Sequence, residues 1–166
     1  MAKIMGRVKA GEGSLIGNSG EHYVMAELLK RGIIAALAPR NAPSFDILAT
    51  KGNHTVRIRV KTKSAEYREW QWMMKKDGSI FRDLSTDGDF SVLVDLARET
   101  QNMKFYVVPT HKLDAWLKET FDKWAKTLGR NNRPHDKTTP KRNLNQETYG
   151  KELAKYLGNW EELGFP

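Results

Sequence analysis

Two adjacent segments in which apolar and polar residues alternate constrain the fold more than any other feature of the chain. They cover residues 45–49 and 56–60, with a short break at residues 51–54. Alternation with a period of two predicts half-buried β-strands, and so short a break predicts a hairpin. With Thr50 opposite Thr55, all the apolar members share one face, whereas a slip of one residue would mix the faces. The pattern therefore predicts the pairing register as well as the strands.

The polar face of this hairpin combines one acid with several cations. Asp46 would lie opposite Arg59, and Arg57, Lys61 and Lys63 continue the same face of the second strand. Side chains directly opposite each other on antiparallel strands approach to about 5 Å. Two interpretations are open: an ion pair between Asp46 and Arg59, or an acid and cations presented together for phosphate chemistry.

Composition narrows the choice of partner. The formal net charge is +8, from 28 Lys and Arg against 20 Asp and Glu, which favours nucleic acid over an anionic membrane surface. The absence of cysteine excludes disulfides, thiolate metal sites and a cysteine nucleophile. No apolar segment approaches the ~20 residues that cross a bilayer, and no signal-peptide pattern is evident. We therefore expect a cytoplasmic protein that does not enter a membrane.

The remaining patterns predict one α/β domain over residues 18–166, after a flexible segment at residues 1–17. Asn18 with Glu21 three positions later has the spacing of a capping box, which predicts a helix start. Thr110 is predicted to cap a later helix. Further strands are predicted at residues 33–37, with a central position, and at residues 90–96 and 102–108. A central mixed sheet flanked by helices is the expected architecture.

Residues 129–147 are predicted to form a basic loop, in which Arg130 and Arg133 are prominent. A stretch of this kind is commonly a solvated, charged segment. It would also suit contacts to a phosphate backbone, which Lys and Arg make without regard to sequence.

Three segments in order resemble the core of the PD-(D/E)xK nuclease superfamily, in particular small bacterial members akin to restriction endonucleases and Holliday-junction resolvases. They are residues 20–32, Phe45-Asp46-Ile47 and Ile58-Arg59-Val60-Lys61-Thr62. The resemblance implies a restriction-endonuclease-like fold and hydrolysis of phosphodiester bonds with Mg²⁺, for which Mn²⁺ can substitute. Asp46 matches the family's metal-binding acid, Lys61 its catalytic lysine, and Glu21 a further ligand or water-orienting acid on the first helix.

The chain departs from the family pattern at Arg59, where the family has Glu, Asp or Gln. A guanidinium has only donors and cannot ligate a metal. Two outcomes are open: a catalytically impaired descendant that still binds nucleic acid, or a rearranged site in which Glu66 or Glu69 supplies the missing carboxylate.

Charge and resemblance together predict a nucleic-acid-binding protein, with DNA preferred to RNA. The expected catalytic residues are Asp46, Lys61 and Glu21, the expected metal ligands Asp46, Glu21 and Glu66, and the expected nucleic-acid contacts Arg57, Arg59, Lys63, Arg130 and Arg133. The alternatives are a DNA-binding module without catalysis and a protein-interaction domain. A homodimer is compatible with the way that related folds pair.

Overall fold

A computed structural model describes residues 13–97 and 99–166. The helices and strands of these residues follow in the order α1 Gly13–Lys30, β1 Ile34–Leu37, β2 Ile47–Lys51, β3 His54–Ser64, β4 Glu69–Met73, β5 Asp89–Leu96, β6 Lys104–Pro109, α2 Thr110–Ala125, β7 Lys141–Asn145 and α3 Gly150–Ala154. Short 3₁₀ helices lie at Thr100–Asn102, Arg130–Asn132 and Trp160–Leu163.

Five of these strands form a mixed sheet in the order β1-β2-β3-β5-β6. The pair β3–β5 is parallel, and the other neighbours are antiparallel. β4 and β7 form a separate antiparallel ribbon, the β4–β7 ribbon. The long β3 is therefore the central strand, and the segment between the parallel strands β3 and β5 contains β4.

The register predicted for the hairpin is confirmed. Thr50 lies opposite Thr55, Ile47 opposite Ile58, and Ala49 opposite Val56. The four apolar residues of these pairs are at most 1% exposed, as expected for the face that packs against the core.

The central sheet separates two apolar cores. On one face, α1 packs through Val24 and Leu28 onto β2, β3 and β5. On the other face, α2 and α3 pack with the β4–β7 ribbon onto β5 and β6, around Trp70, Leu117 and Leu144. The mixed sheet flanked by helices agrees with the predicted fold class.

Four local predictions near the helices and the sheet edge are wrong. α1 begins at Gly13, so Asn18 does not cap it, Glu21 lies in its interior, and residues 13–17, expected to be flexible, are helical. Residues 1–12 lie outside the described part of the chain. β1 is at the edge of the sheet rather than its centre. Thr110 does not cap α2, because its hydroxyl donates a hydrogen bond to Asp89.

The basic segment is more structured than its sequence indicates. Residues 141–145 form β7, which pairs with β4 through Leu144 opposite Trp70. The preceding residues 126–140, here called the basic arm, are held at several points. Gly129 N–H donates to Arg133 at 2.8 Å, the His135 ring stacks on Trp124 with centroids 4.0 Å apart, and Met74 N–H donates to Pro140 at 2.7 Å. The stacking of His135 on Trp124 and the pairing of β7 with β4 join residues that lie apart in the sequence, so the local composition of this segment did not predict them.

Within the described residues, no helix has both the length and the apolar character that a membrane span requires.

Candidate active site

Close packing between α1 and β3 brings Glu21 to the sheet. Gly20 faces Thr62, and a Cβ atom at Gly20 would lie only 1.8 Å from Oγ1 of Thr62. Only glycine allows the helix backbone to approach the strand this closely. Since Glu21 follows Gly20 directly, this contact determines where its carboxylate lies.

Asp46 lies just before β2 and is anchored to β3 by two hydrogen bonds. Its backbone N–H donates to the carbonyl of Ile58 at 2.9 Å, and its Oδ2 accepts from the N–H of Val60 at 2.7 Å. The second bond uses Oδ2 and fixes the orientation of the carboxylate. Oδ1 is then the oxygen that can receive a ligand.

Asp46 interacts electrostatically with both Glu21 and Lys61. Burial raises the pKa of Glu21, and the negative charge of Asp46 raises it further. Burial also raises the pKa of Asp46, against the hydrogen bond from Val60 and the positive charges of Arg59 and Lys61. Burial lowers the pKa of Lys61, and Asp46 partly offsets this effect. Asp46 therefore lies within electrostatic reach of both Glu21 and Lys61, and both acids are harder to ionise than in water.

A cleft of about 620 Å³ opens beside the two acids. Its walls are the first half of α1, the loop after β1 and the residues that lead into β2, and both Glu21 and Asp46 line it. Arg40, which is exposed, lies in the same cleft, and its charge lowers the pKa of Glu21. The acids are thus reached from solvent through a cleft that carries a cation at its rim.

Arg59 does not occupy this site. Its guanidinium pairs instead with Asp89, at 3.1 Å from Nε to Oδ1 and 2.9 Å from Nη2 to Oδ2. Nη2 also donates to the carbonyl of Arg82 at 2.7 Å. The ion pair with Asp46 that the register suggested is therefore wrong, although the charge of Arg59 still lowers the pKa of Asp46.

Asp89, which the sequence reading did not single out, is the acid that holds the arginines. Its side chain is fully buried and accepts hydrogen bonds from Arg57 at 3.3 Å, from Arg59, and from the hydroxyl of Thr110 at 2.9 Å. Asp89 begins β5, and Arg57 is its register partner on the parallel strand β3. No turn links these strands directly, so nothing local in the sequence could have indicated this pairing.

The other predicted nucleic-acid contacts divide into a buried and an exposed group. The ammonium of Lys63 lies 2.7 Å from Asp95, and its side chain is only 5% exposed. Arg57 and Arg59 are bound to Asp89, as described. Arg130 and Arg133, in contrast, lie exposed on the basic arm. Of the five predicted cations, these two are therefore the ones that can meet a polyanion without breaking an ion pair.

An aromatic layer covers the cationic face of β3. The ring centroid of Phe81 lies 5.5 Å from the guanidinium of Arg59, that of Trp72 lies 5.7 Å from the ammonium of Lys61, and that of Trp70 lies 5.0 Å from the ammonium of Lys63. Contacts of this kind stabilise cations by roughly 0.5–2 kcal/mol each. This face, expected to lie open to an anionic polymer, is thus largely an interior surface.

The donor set limits the metal that the site can hold. The described part of the chain contains no cluster of three or more histidines and acids suited to a metal, so Glu66 does not complete one with Glu21 and Asp46. Glu66 is exposed in the turn after β3. Two carboxylates remain, and Mg²⁺ commonly binds one or two carboxylates together with water and substrate phosphate. Glu21 and Asp46 fit an ion that is completed in this way.

Comparison with known proteins supports the fold. No family model matches the chain, and no curated protein matches its sequence. Among solved structures, it is similar to Hjc, a Holliday junction resolvase of the archaeal hyperthermophile Archaeoglobus fulgidus, with a TM-score of 0.50 and 17% identity over 90% of this chain and 97% of that one. A bacterial homing endonuclease, I-Ssp6803I, aligns with a TM-score of 0.46 and 18% identity over 87% and 95% of the two chains. The chain therefore has the restriction-endonuclease-like fold that its resemblance to the PD-(D/E)xK superfamily implied.

Proposed function

We propose that this protein binds DNA and hydrolyses its phosphodiester bonds with Mg²⁺, using Asp46, Glu21 and Lys61. The observation that carries the proposal is that Asp46 interacts electrostatically with both Glu21 and Lys61, and that Asp46 and Glu21 line an open cleft. The ion pair of Arg59 with Asp89 supports the proposal further, because a guanidinium in the site would compete with a metal ion.

Each residue has a role that follows from its surroundings. Asp46, oriented by Val60 N–H, and Glu21, held over β3 by the Gly20 contact, would hold Mg²⁺. When bound, the ion would polarise the phosphodiester and stabilise the departing oxygen. Lys61 lies beside Asp46, and burial lowers its pKa. Its ammonium would donate to phosphate oxygens as negative charge develops on them, in a setting where little water competes.

Contacts to the DNA backbone are assigned to the basic arm rather than to β3. Arg130 and Arg133 are exposed, and Lys126 and Lys137 on the same arm are exposed as well. Phosphate contacts of this kind give affinity that falls steeply with salt and depends little on sequence. Arg57 and Arg59, through Asp89, and Lys63, through Asp95, would support the site.

A cleavage assay with purified protein tests the proposal. Duplex, branched and single-stranded DNA are incubated with Mg²⁺ or Mn²⁺, and products are separated on denaturing gels. We expect cleavage by the natural protein, loss of at least a hundredfold in rate for Asp46→Asn and Lys61→Met, and little change for Glu66→Gln. Absence of product with every substrate, or undiminished cleavage by Asp46→Asn, would refute the catalytic assignment.

A DNA-binding module without catalysis is the second candidate. It is favoured by the position of Arg59, which supplies only donors where the family has an acceptor, and by the lack of a third acid in the described site. This candidate predicts DNA binding in EDTA that weakens steeply with salt, and no cleavage product under any metal condition.

A further inference from the structure

A second cleft, of about 510 Å³, lies between the C-terminal half of α2 and the outer face of the β4–β7 ribbon. It is formed by elements other than those that line the Asp46 cleft. Its volume falls within the ~300–1,000 Å³ of typical small-ligand sites. Phe121 and Trp124 form an apolar wall, and Glu69, Asn143 and Asn145 bring polar groups to the same space.

Contacts between neighbouring rings and with Arg142 hold the apolar wall in place. The guanidinium of Arg142 lies 3.5 Å from the ring centroid of Phe121, Phe121 lies 5.4 Å from Trp124, and Trp124 lies 4.0 Å from His135. Trp124 is nevertheless 37% exposed. A flat aromatic ligand placed in the cleft would meet a preformed apolar surface.

The polar side of the cleft has a specific hydrogen-bonding character. Asn143 donates to Oε1 of Glu69 at 2.8 Å and accepts from Gln71 at 3.1 Å. Among the described residues, none donates to Oε2 of Glu69. A carboxylate is an acceptor only, so the cleft suits a ligand that presents N–H donors.

We infer that this cleft binds an unpaired nucleobase of DNA held on the basic arm, with preference for a base that carries an exocyclic amino group. An aromatic wall beside a carboxylate matches a planar base with an amino donor. The exposed cations Lys123 on the rim and Lys126 and Arg130 beyond it would meet the adjoining phosphates. Thymine has no exocyclic amino group, so apart from its one ring N–H it would present carbonyl oxygens to the Glu69 carboxylate and bind less well. The inference rests on the proposed DNA binding but not on catalysis.

Fluorescence anisotropy in EDTA tests this inference with the full chain. The probes are labelled 20-base-pair duplexes that are fully paired or carry one extrahelical dC or dT, with dCMP as a competitor. We expect the dC bulge to bind about tenfold more tightly than the paired duplex, the scale of one base packed on an aromatic ring, and the dT bulge to gain less. Because dC and dT are both pyrimidines, the comparison keeps the ring size constant.

Glu69→Gln isolates the chemistry without changing shape, since its amide oxygen can still accept from Asn143. We expect it to abolish the preference for dC over dT while leaving affinity for paired duplex unchanged. Glu147→Gln, which removes the same charge from an exposed acid outside the cleft, should keep the preference. Equal binding of all three duplexes, or a dC preference that survives Glu69→Gln, would overturn this inference but not the proposed function. Displacement of the bulged duplex by dCMP at comparable concentration would reassign the cleft to free nucleotides, and failure to bind any DNA would also remove the proposed function.

Discussion

The ion pairs around Asp89 offer the sharpest test of how the site is built. Asp89→Asn keeps the size of the side chain and its acceptor for Thr110 but leaves two guanidinium groups without a carboxylate. Removing one partner of a buried ion pair costs about 3–5 kcal/mol. Arg59 is 11% exposed and cannot regain water easily, whereas Arg57 is 29% exposed and can do so in part. We therefore expect a loss of about 3 kcal/mol in the free energy of unfolding.

That loss corresponds to a melting temperature lower by about 6–12 °C for a chain of this size. Urea unfolding followed by circular dichroism gives the free energy directly. Asp87→Asn, an exposed acid two positions away on the same turn, is the matched control and should stay within about 0.5 kcal/mol of the natural protein. An Asp89→Asn variant as stable as this control would contradict the assigned network.

A double-mutant cycle separates the ion pair from the general effect of substitution. In Asp89→Asn combined with Arg59→Met, only Arg57, which is 29% exposed, is left without its carboxylate, so the double variant should recover at least half of the lost stability. The single variant Asp89→Asn should also lose metal-dependent cleavage beyond its loss of stability, because the released Arg59 lies next to Asp46. Additive free energies in the cycle would refute the pairing of Arg59 with Asp89.

Three further expectations follow from contacts described above. Gly20→Ala should lower the free energy of unfolding by about 1–2 kcal/mol, because the cost of overpacking against Thr62 exceeds the gain in helix propensity. Adding Thr62→Ala should restore the lost stability, as measured by urea unfolding. Burial raises the pKa of Asp46 in the folded protein, so ionisation of Asp46 removes stability as pH rises through that raised pKa. Asp46→Asn should therefore raise the melting temperature at pH 7–8, but not below pH 3.8, the ordinary pKa of Asp. His135→Ala should speed tryptic cleavage at Arg130 relative to the natural protein, because the stack on Trp124 holds the basic arm; an unchanged rate would mean that the stack does not restrain it.

The sequence was sufficient to predict those contacts that are made between segments close together in the chain. The hairpin register could be predicted because a short turn fixes which residues of β2 and β3 meet, and alternation decides which face is buried. The proximity of Asp46 and Lys61 followed from that register. The likeness of residues 20–32 to a family helix placed Glu21 near them, although the structure shows that its role as a capping acid does not apply.

The partners of the cations could not be predicted, because they are set by pairing between strands that are distant in sequence. β3 and β5 are parallel, and the chain between them forms β4 and long turns, so their relative register leaves no local trace. Asp89 was therefore not predicted as a partner of the arginines, and Thr110 was predicted as a helix cap. The same reasoning applies to β7, whose sequence is polar and basic and becomes a strand through its pairing with β4.

The distribution of partners along β3 gives the strongest reason to expect a cation in the site. Arg57 and Arg59 share the buried Asp89, and Lys63 has Asp95. Lys61 is the remaining cation of this face, and burial weakens its charged form, while Asp46 interacts with both Lys61 and Glu21. Asp46 still raises the pKa of Glu21, although the charges of Arg40 and Lys61 act against the ionisation penalty of the two acids. A divalent ion would relieve the repulsion between Glu21 and Asp46, so its binding should lower the pKa of both acids. A site that served only to bind DNA phosphate would gain nothing from keeping these two acids together.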